Sequence, residues 1–340
     1  MLSRRKLYFF EDEVTFWCRR CEYLETCRDD SEAKMRTSND SSLLWYSLEM
    51  ESPLVDYVTI LFNYTARTLT NQSDVLRAMA GIIRRISSKF RYRMLEGLPT
   101  GAFDYFILFS GTRIRRRRGF PSYSWAGWIG QIDINAKTTP DHNVWLRDQT
   151  WIIWYKRSPR GVLNLVWDPE ANPSFPVSDM DFEGYRQRTR FQCPIPGSNT
   201  SRIVPPEEPP ALVNTPSYTL LQFYTMAVFL KLGDLDVFNP QAELVGKDGK
   251  SYGRVFLDGF EETTFFESEH PLEVILLSES YGFHRLRGFD RDEVLWSFYT
   301  VMVLEWDHGL AERRGIGLLR KEAIHQSYLP GPLWKQIVLG

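Results

Sequence analysis

A chain of 340 residues with 43% hydrophobic and 25% charged positions holds enough apolar material for a large core, which excludes disorder as its main state. Forty-one Lys and Arg against 43 Asp and Glu leave a formal charge of −2, so no overall field draws it onto nucleic acid or anionic lipid, and a polyanion site would have to be local. The apolar runs Tyr218 to Leu230 and Val294 to Leu304 are shorter than the roughly 20 residues of a membrane-spanning helix.

No membrane partner is therefore expected. Glu11 to Glu13 follow Arg4, Arg5 and Lys6 too soon for the apolar centre of a signal peptide. Four cysteines are too few to staple a chain of this length. Together these features predict an intracellular, cytoplasmic protein.

Leu7 and Phe9, then Val14, Phe16 and Cys18, alternate on either side of an acidic turn and predict a hairpin. Cys27 to Ser42 is polar and reads as a connection. Ser52 with Pro53 starts a helix whose face carries Leu54, Tyr57, Val58, Leu61 and Thr65. Ser73 with Asp74 starts a second, in which Val75, Met79, Ile82, Ile83 and Ile86 oppose Arg77, Arg84 and Lys89. The two stripes should pack together. Phe103 to Phe109 is short enough to be strand or helix.

From Ser124 the period becomes two. Trp125 to Ile134, Thr150 to Lys156, Val162 to Trp167, Tyr218 to Leu232, Tyr252 to Leu257, Leu272 to Leu277 and Leu295 to Trp306 read as strands, with a tight turn at Lys247 to Lys250. Between them, residues 169–210 are irregular and end in a proline-rich run that suits neither helix nor central strand. The expectation is an α+β fold: a hairpin and helices over residues 1–110, then an antiparallel β-rich region over 111–340 with the 169–210 loop inside it. Trp125 to Trp128 should join the two sections, because buried aromatics anchor interfaces well.

Candidate chemistry is sparse. Cys18, Cys21 and Cys27 lack a fourth zinc ligand at similar reach, so they read as thiols and no metal is expected. Asp179, Asp181, Glu183 and Gly184 open like a calcium loop, but its twelfth place is Arg190, which cannot ligate. Arg113 and Arg115 to Arg118 form a basic cluster flanked by Phe120, Tyr123, Trp125 and Trp128, which could bind nucleic acid by charge and stacking, although a structural turn is the preferred reading. There is no Gly-x-Ser-x-Gly elbow and no phosphate-cradling loop. Asp258, Glu261, Glu262 and Asp292 are nominal acid/base candidates for a hydrolase-like alternative. No catalytic residue, cofactor site or metal site is assigned.

Several segments together resemble the fungal heterokaryon-incompatibility (HET) domain proteins, which police cell fusion and trigger death of mismatched fusion cells. These segments are Leu2-Ser3-Arg4-Arg5, the Glu11 to Glu13 turn with Phe16-Trp17-Cys18, Tyr64 to Thr70 with Ser73-Asp74, and Gly97-Leu98-Pro99. Downstream follow Phe120 to Trp128, Glu305-Trp306, Ala311 to Gly317 and Trp334 to Gly340. Tyr123 stands where the family more often has tryptophan. The resemblance implies a role in self/non-self recognition and programmed cell death.

It also implies an upstream half similar to the Toll/interleukin-receptor fold, where the family's chemistry would reside. Its signature stretches do not occur in this sequence, so the expectation is a truncated, downstream, non-catalytic regulatory or interaction portion. Its partner would be a protein, either that upstream half or another incompatibility protein. Leu7, Phe9 and Phe16 would then be left as an exposed apolar patch.

Overall fold

The computed structural model describes residues 53–90, 93–134, 145–146, 149–166, 206–208, 216–236, 240–260, 266, 270–280 and 297–340, and the backbone at 5–9, 14–18 and 22–24. Three N-terminal strands, β1 (Arg5–Phe9), β2 (Val14–Cys18) and β3 (Glu22–Leu24), lie antiparallel in that order, with Leu7 opposite Phe16. This is the hairpin that the alternation predicts, extended by one strand. The patch expected at Leu7, Phe9 and Phe16 depends on side chains outside the described residues.

Helix α1 (Pro53–Thr65) begins at the predicted proline and buries Tyr57, Ile60, Leu61 and Tyr64. Helix α2 (Val75–Phe90) buries Val75, Met79 and Ile86 in the same core. Its start differs from the prediction. Asn71, with extended backbone, accepts from the Ser73 amide at 3.2 Å, and one tight turn over Gln72–Asp74 precedes the helix. An extended residue just before the first turn is the one placed to cap it, and Ser73 already lies within that turn.

Next comes a layer of short pieces: β4 (Met94–Leu95), β5 (Leu98–Pro99), helix α3 (Phe103–Phe106), β6 (Phe109–Ser110), β7 (Arg115–Arg116), β8 (Trp128–Ile129) and β9 (Asp133–Ile134). The segment left open at Phe103 to Phe109 is thus a single helical turn followed by a short strand. The predicted strands at 125–134 and 150–156 are corrected here. Trp125–Gly127 is a tight turn capped by the Ser124 side chain, so only β8 and β9 of the first run are strand, and of the second only Tyr155 and Lys156, in β10 (Tyr155–Arg157). Trp125, Trp128, Trp151, Ile152 and Trp154 are all buried. An aromatic-rich stretch enclosed on both sides imitates strand alternation without adopting strand backbone.

The remaining strands, most of them longer, are β11 (Leu163–Leu165), β12 (Leu220–Asp236), β13 (Gln241–Val245), β14 (Ser251–Leu257), β15 (Leu272–Ser280), β16 (Phe298–Asp307), β17 (Leu310–Arg320) and β18 (Leu333–Leu339). Neighbours run β12-β13-β14-β17-β16-β15, and β15 pairs back onto β12 through Ala227 to Leu230, which closes a six-stranded antiparallel barrel. β18 lies along the first half of β12, and β10 and β11 extend the sheet beyond it. The fold is α+β, helical first and antiparallel β afterwards.

Strand register sorts the side chains. One face of the ring brings together Val228, Leu230, Ala242, Leu244, Val255, Leu257, Val274, Leu276, Val301 and Val303, all buried, and forms the barrel interior. The interior is tight where β14 meets β17. A β-carbon on Gly253 would run into the Leu318 carbonyl, and one on Gly317 into that of Arg254, so only glycine lets these strands approach so closely. The outer face of β12, β15, β16 and β17 carries Phe223, Ile275, Met302 and Leu304 and packs into the core shared with the helices. The outer face of β14 is open, with Phe256 39% exposed.

Between Val303 and Leu304 the β16–β17 register shifts. Arg313 has the parity of the inward Gly315 and Gly317, but pairs with Leu304 and so turns to the outer face.

Candidate functional site

The best-developed polar cluster lies where the helical layer meets the barrel, and it collects segments far apart in sequence. Trp125 Nε1 donates to the Gly97 carbonyl at 3.1 Å, and the Tyr57 hydroxyl donates to that same oxygen at 2.5 Å. Trp125 meets Tyr64 edge-on, with ring centroids 6.0 Å apart. Ser124 Oγ donates to the Glu96 carbonyl at 2.6 Å, and Trp128 Nε1 to Ser122 O at 2.8 Å. The Ser122 hydroxyl donates to the Gly340 carbonyl and accepts from the Arg313 amide at 2.8 Å. The Gly340 amide in turn donates to Ala311 O at 2.9 Å. A short loop thus ties the α1 face, the β4–β5 turn, β17 and the end of β18 into one knot.

At its centre is Arg313, fully buried. Its Nε donates to Asp258 Oδ2 at 2.7 Å, Nη1 to the Ile107 carbonyl at 2.8 Å and Nη2 to that of Phe109. The guanidinium carbon lies 3.7 Å from the Phe109 ring centre. Burial pushes the Asp258 carboxyl above the usual carboxylate range, opposed by Arg313, and burial lowers Arg313 against the attraction of Asp258. Among the described residues Asp258 Oδ1 has no hydrogen-bond partner. Asp258, named as an acid/base candidate, is therefore sealed in an internal ion pair and away from any substrate. Glu261, Glu262 and Asp292 lie outside the described residues.

The basic cluster divides into inward and outward members. Arg116 is buried. It donates through Nη1 to the carbonyls of Arg117 and Gly127, and its Nη2 pairs with Glu312 at 3.3 Å. Arg117, also buried, donates to Gln72 Oε1 at 3.1 Å and to the Ala126 carbonyl at 2.6 Å. Glu312 also contacts Arg314, which pairs with Glu305 at 2.5 Å, and Arg116 hydrogen-bonds the Tyr218 phenol. Burial lowers Arg116, opposed by Glu312 and Tyr218, and burial raises Tyr218, opposed by Arg116.

Arg113, Arg115 and Arg118 are exposed. Of the four aromatics proposed to stack on a strand of nucleic acid, Tyr123, Trp125 and Trp128 are at most 1% exposed and Phe120 is half-buried, which weakens the stacking half of that reading. Nearby, Glu96 sits on positive φ in the β4–β5 turn, and partial burial pushes its carboxyl up, opposed by a bond from the Thr219 amide.

Among the described residues no group of three His, Cys, Asp or Glu could hold a metal, and no helix is long and apolar enough to cross a membrane. The Cys18 side chain, Cys21, Cys27 and the Asp179 to Arg190 stretch lie outside the described residues. Sequence reasoning did not single out Arg313 or its partnership with Asp258. The one available signal was the run of two arginines against two glycines in β17, which is unusual in an apolar barrel strand. Comparison of the chain with protein-family models, with curated proteins and with solved structures finds no match.

Proposed function

We propose that this chain is a non-catalytic regulatory or interaction portion of a HET-type protein, acting in fungal self/non-self recognition and incompatibility cell death. The observation that carries the reading is the convergence just described. Gly97, the loop Ser122 to Trp128, Arg313 and the Trp334 to Gly340 strand, all from segments that carry the resemblance, meet in one hydrogen-bonded knot. Such a pattern follows when those residues are kept together for architecture. The inward use of Asp258, Arg116 and Arg117 supports the same reading, since their polar groups serve the fold.

The test is cell death in a filamentous fungus. The chain is joined behind a Toll/interleukin-receptor-like half of a HET-type protein and viability is scored with a vital dye. Death is expected with the wild-type fusion. It should be lost with Trp125→Ala, which costs about 3 to 5 kcal/mol, and weakened with the milder Trp125→Phe. Survival with the wild-type fusion, or death unaltered by both variants, overturns the proposal.

A further inference from the structure

Pro206, Glu207 and Glu208 belong to the proline-rich run between β11 and β12 and are neither helix nor strand. Side chains of β10 and β12 hold them. Gln222, fully buried, donates from Nε2 to the Glu207 carbonyl at 2.5 Å. Tyr224, two places along the same face of β12, also hydrogen-bonds the Glu207 backbone. Arg157 pairs through Nη1 with the Glu208 carboxylate at 3.3 Å. Pro206 is buried, whereas Glu207 and Glu208 are exposed.

The receiving groups also hold one another. Arg157 Nε donates to Gln222 Oε1 at 2.8 Å, and its Nη1 donates to the Gly161 carbonyl at 2.9 Å, so the guanidinium and the amide are oriented by β10 and β12 themselves. Beside Tyr224 the surface continues as Trp334 of β18, 37% exposed, whose ring is nearly parallel to that of the tyrosine, with planes 10° and centroids 6.3 Å apart. Flat aromatic rings beside polar groups that read a main chain are the means by which extended proline-rich segments are recognised, since proline presets the extended form and lowers the ordering cost. The contacts here go to main-chain groups and one carboxylate, so another segment of like sequence would satisfy them equally well.

We infer that Arg157, Gln222, Tyr224 and Trp334 form a docking surface for an extended segment of a partner protein rich in proline and glutamate, and that Pro206 to Glu208 are a strap that occupies it in the isolated chain. This deepens the interaction reading above and rests on it only for the partner being a protein. The strap shows which sequence class fits, and Arg157 supplies the complementary charge. A segment tethered in the same chain competes at an effective concentration on the order of millimolar, so a partner enters as the strap is displaced.

The experiment measures anisotropy of a labelled peptide with the sequence of residues 203–212, which contains the strap and four prolines. It is titrated with the full chain, with Glu208→Lys, and with the triple variant Pro206→Gly/Glu207→Ser/Glu208→Gly. The triple variant should bind the peptide at least about tenfold more tightly than the wild type. Glu208→Lys changes one exposed side chain and sets a like charge against Arg157; it should give a smaller gain, and it decides the matter if the triple variant does not fold. In either background Tyr224→Phe, Trp334→Ala, or lysine in place of the peptide's second glutamate should weaken binding several-fold.

Absence of binding by a folded variant, equal binding by wild type and variants, or unchanged binding of a peptide with its prolines replaced by alanine overturns the inference. So does a wild-type dimer that the peptide dissociates, because the occupant would then be the strap of a second copy. No fungal cell enters this measurement, so its failure leaves the cell-death reading standing, and loss of cell death in the fusion assay leaves the docking surface standing.

Discussion

Two ion networks within reach of β17 have opposite designs. Arg313 with Asp258 is closed to water, one pair whose remaining donors go to backbone carbonyls. Arg116, Glu312, Arg314 and Glu305 form an open relay in which Glu312 is shared and Arg118, 82% exposed, stands at its rim. In the sealed pair Arg313 depends on the one carboxylate of Asp258, which also feels Arg314, and desolvation makes the dependence of the guanidinium severe. In the relay, loss of one member leaves the others with a neighbour or with water. A sealed pair acts as a lock on geometry; a relay tolerates adjustment.

That contrast can be broken experimentally. Asp258→Asn should destabilise the fold by about 3 to 5 kcal/mol, because it strands the buried guanidinium. Asp258→Leu with Arg313→Met should cost clearly less than the two single changes added together, read from denaturant midpoints. Additive costs would show that the pair is not coupled. Glu312→Gln should cost only about 1 to 3 kcal/mol, since Arg314 keeps Glu305. A loss as large as that of Asp258→Asn would erase the distinction.

The smallest effect concerns Glu96. Its folded carboxyl titrates above the ordinary glutamate value, so the native state binds more protons than the unfolded chain between those two values. Stability should therefore fall as pH rises through that interval, and Glu96→Gln should flatten the fall. Identical stability–pH curves for the two proteins would count against the burial of this carboxylate.

The parts of the molecule with one apolar face were the ones read best from sequence. α1, α2 and strands β12, β14, β15 and β16 each show a clean period, and each was placed within a few residues. The aromatic layer misled because Trp125, Trp128, Trp151 and Trp154 are enclosed from all sides, so their spacing reflects packing and not strand pleat. β17 was passed over because its charges and glycines look like a turn. Its glycines serve a close strand approach that depends on β14, a partner 60 or so residues away, which no local pattern can report.

Arg313 was hidden by the same limit. Strand parity alone sends its side chain into the barrel, and only the slip in pairing with β16 redirects it toward Phe109. The inward and outward members of the 113–118 cluster were equally indistinguishable, since that division is set by Glu312 and by the Gly127 and Ala126 carbonyls.

The slip opposite Val303 and Leu304 makes β17 two half-strands that answer to different neighbours: the glycine half to the lumen, the arginine half to the helices. Adding a single residue to β16 between Val303 and Leu304 would pair it with Arg314, restore plain alternation and swing the Arg313 guanidinium into a cavity sized for glycine. Length is fixed along this strand as firmly as residue type.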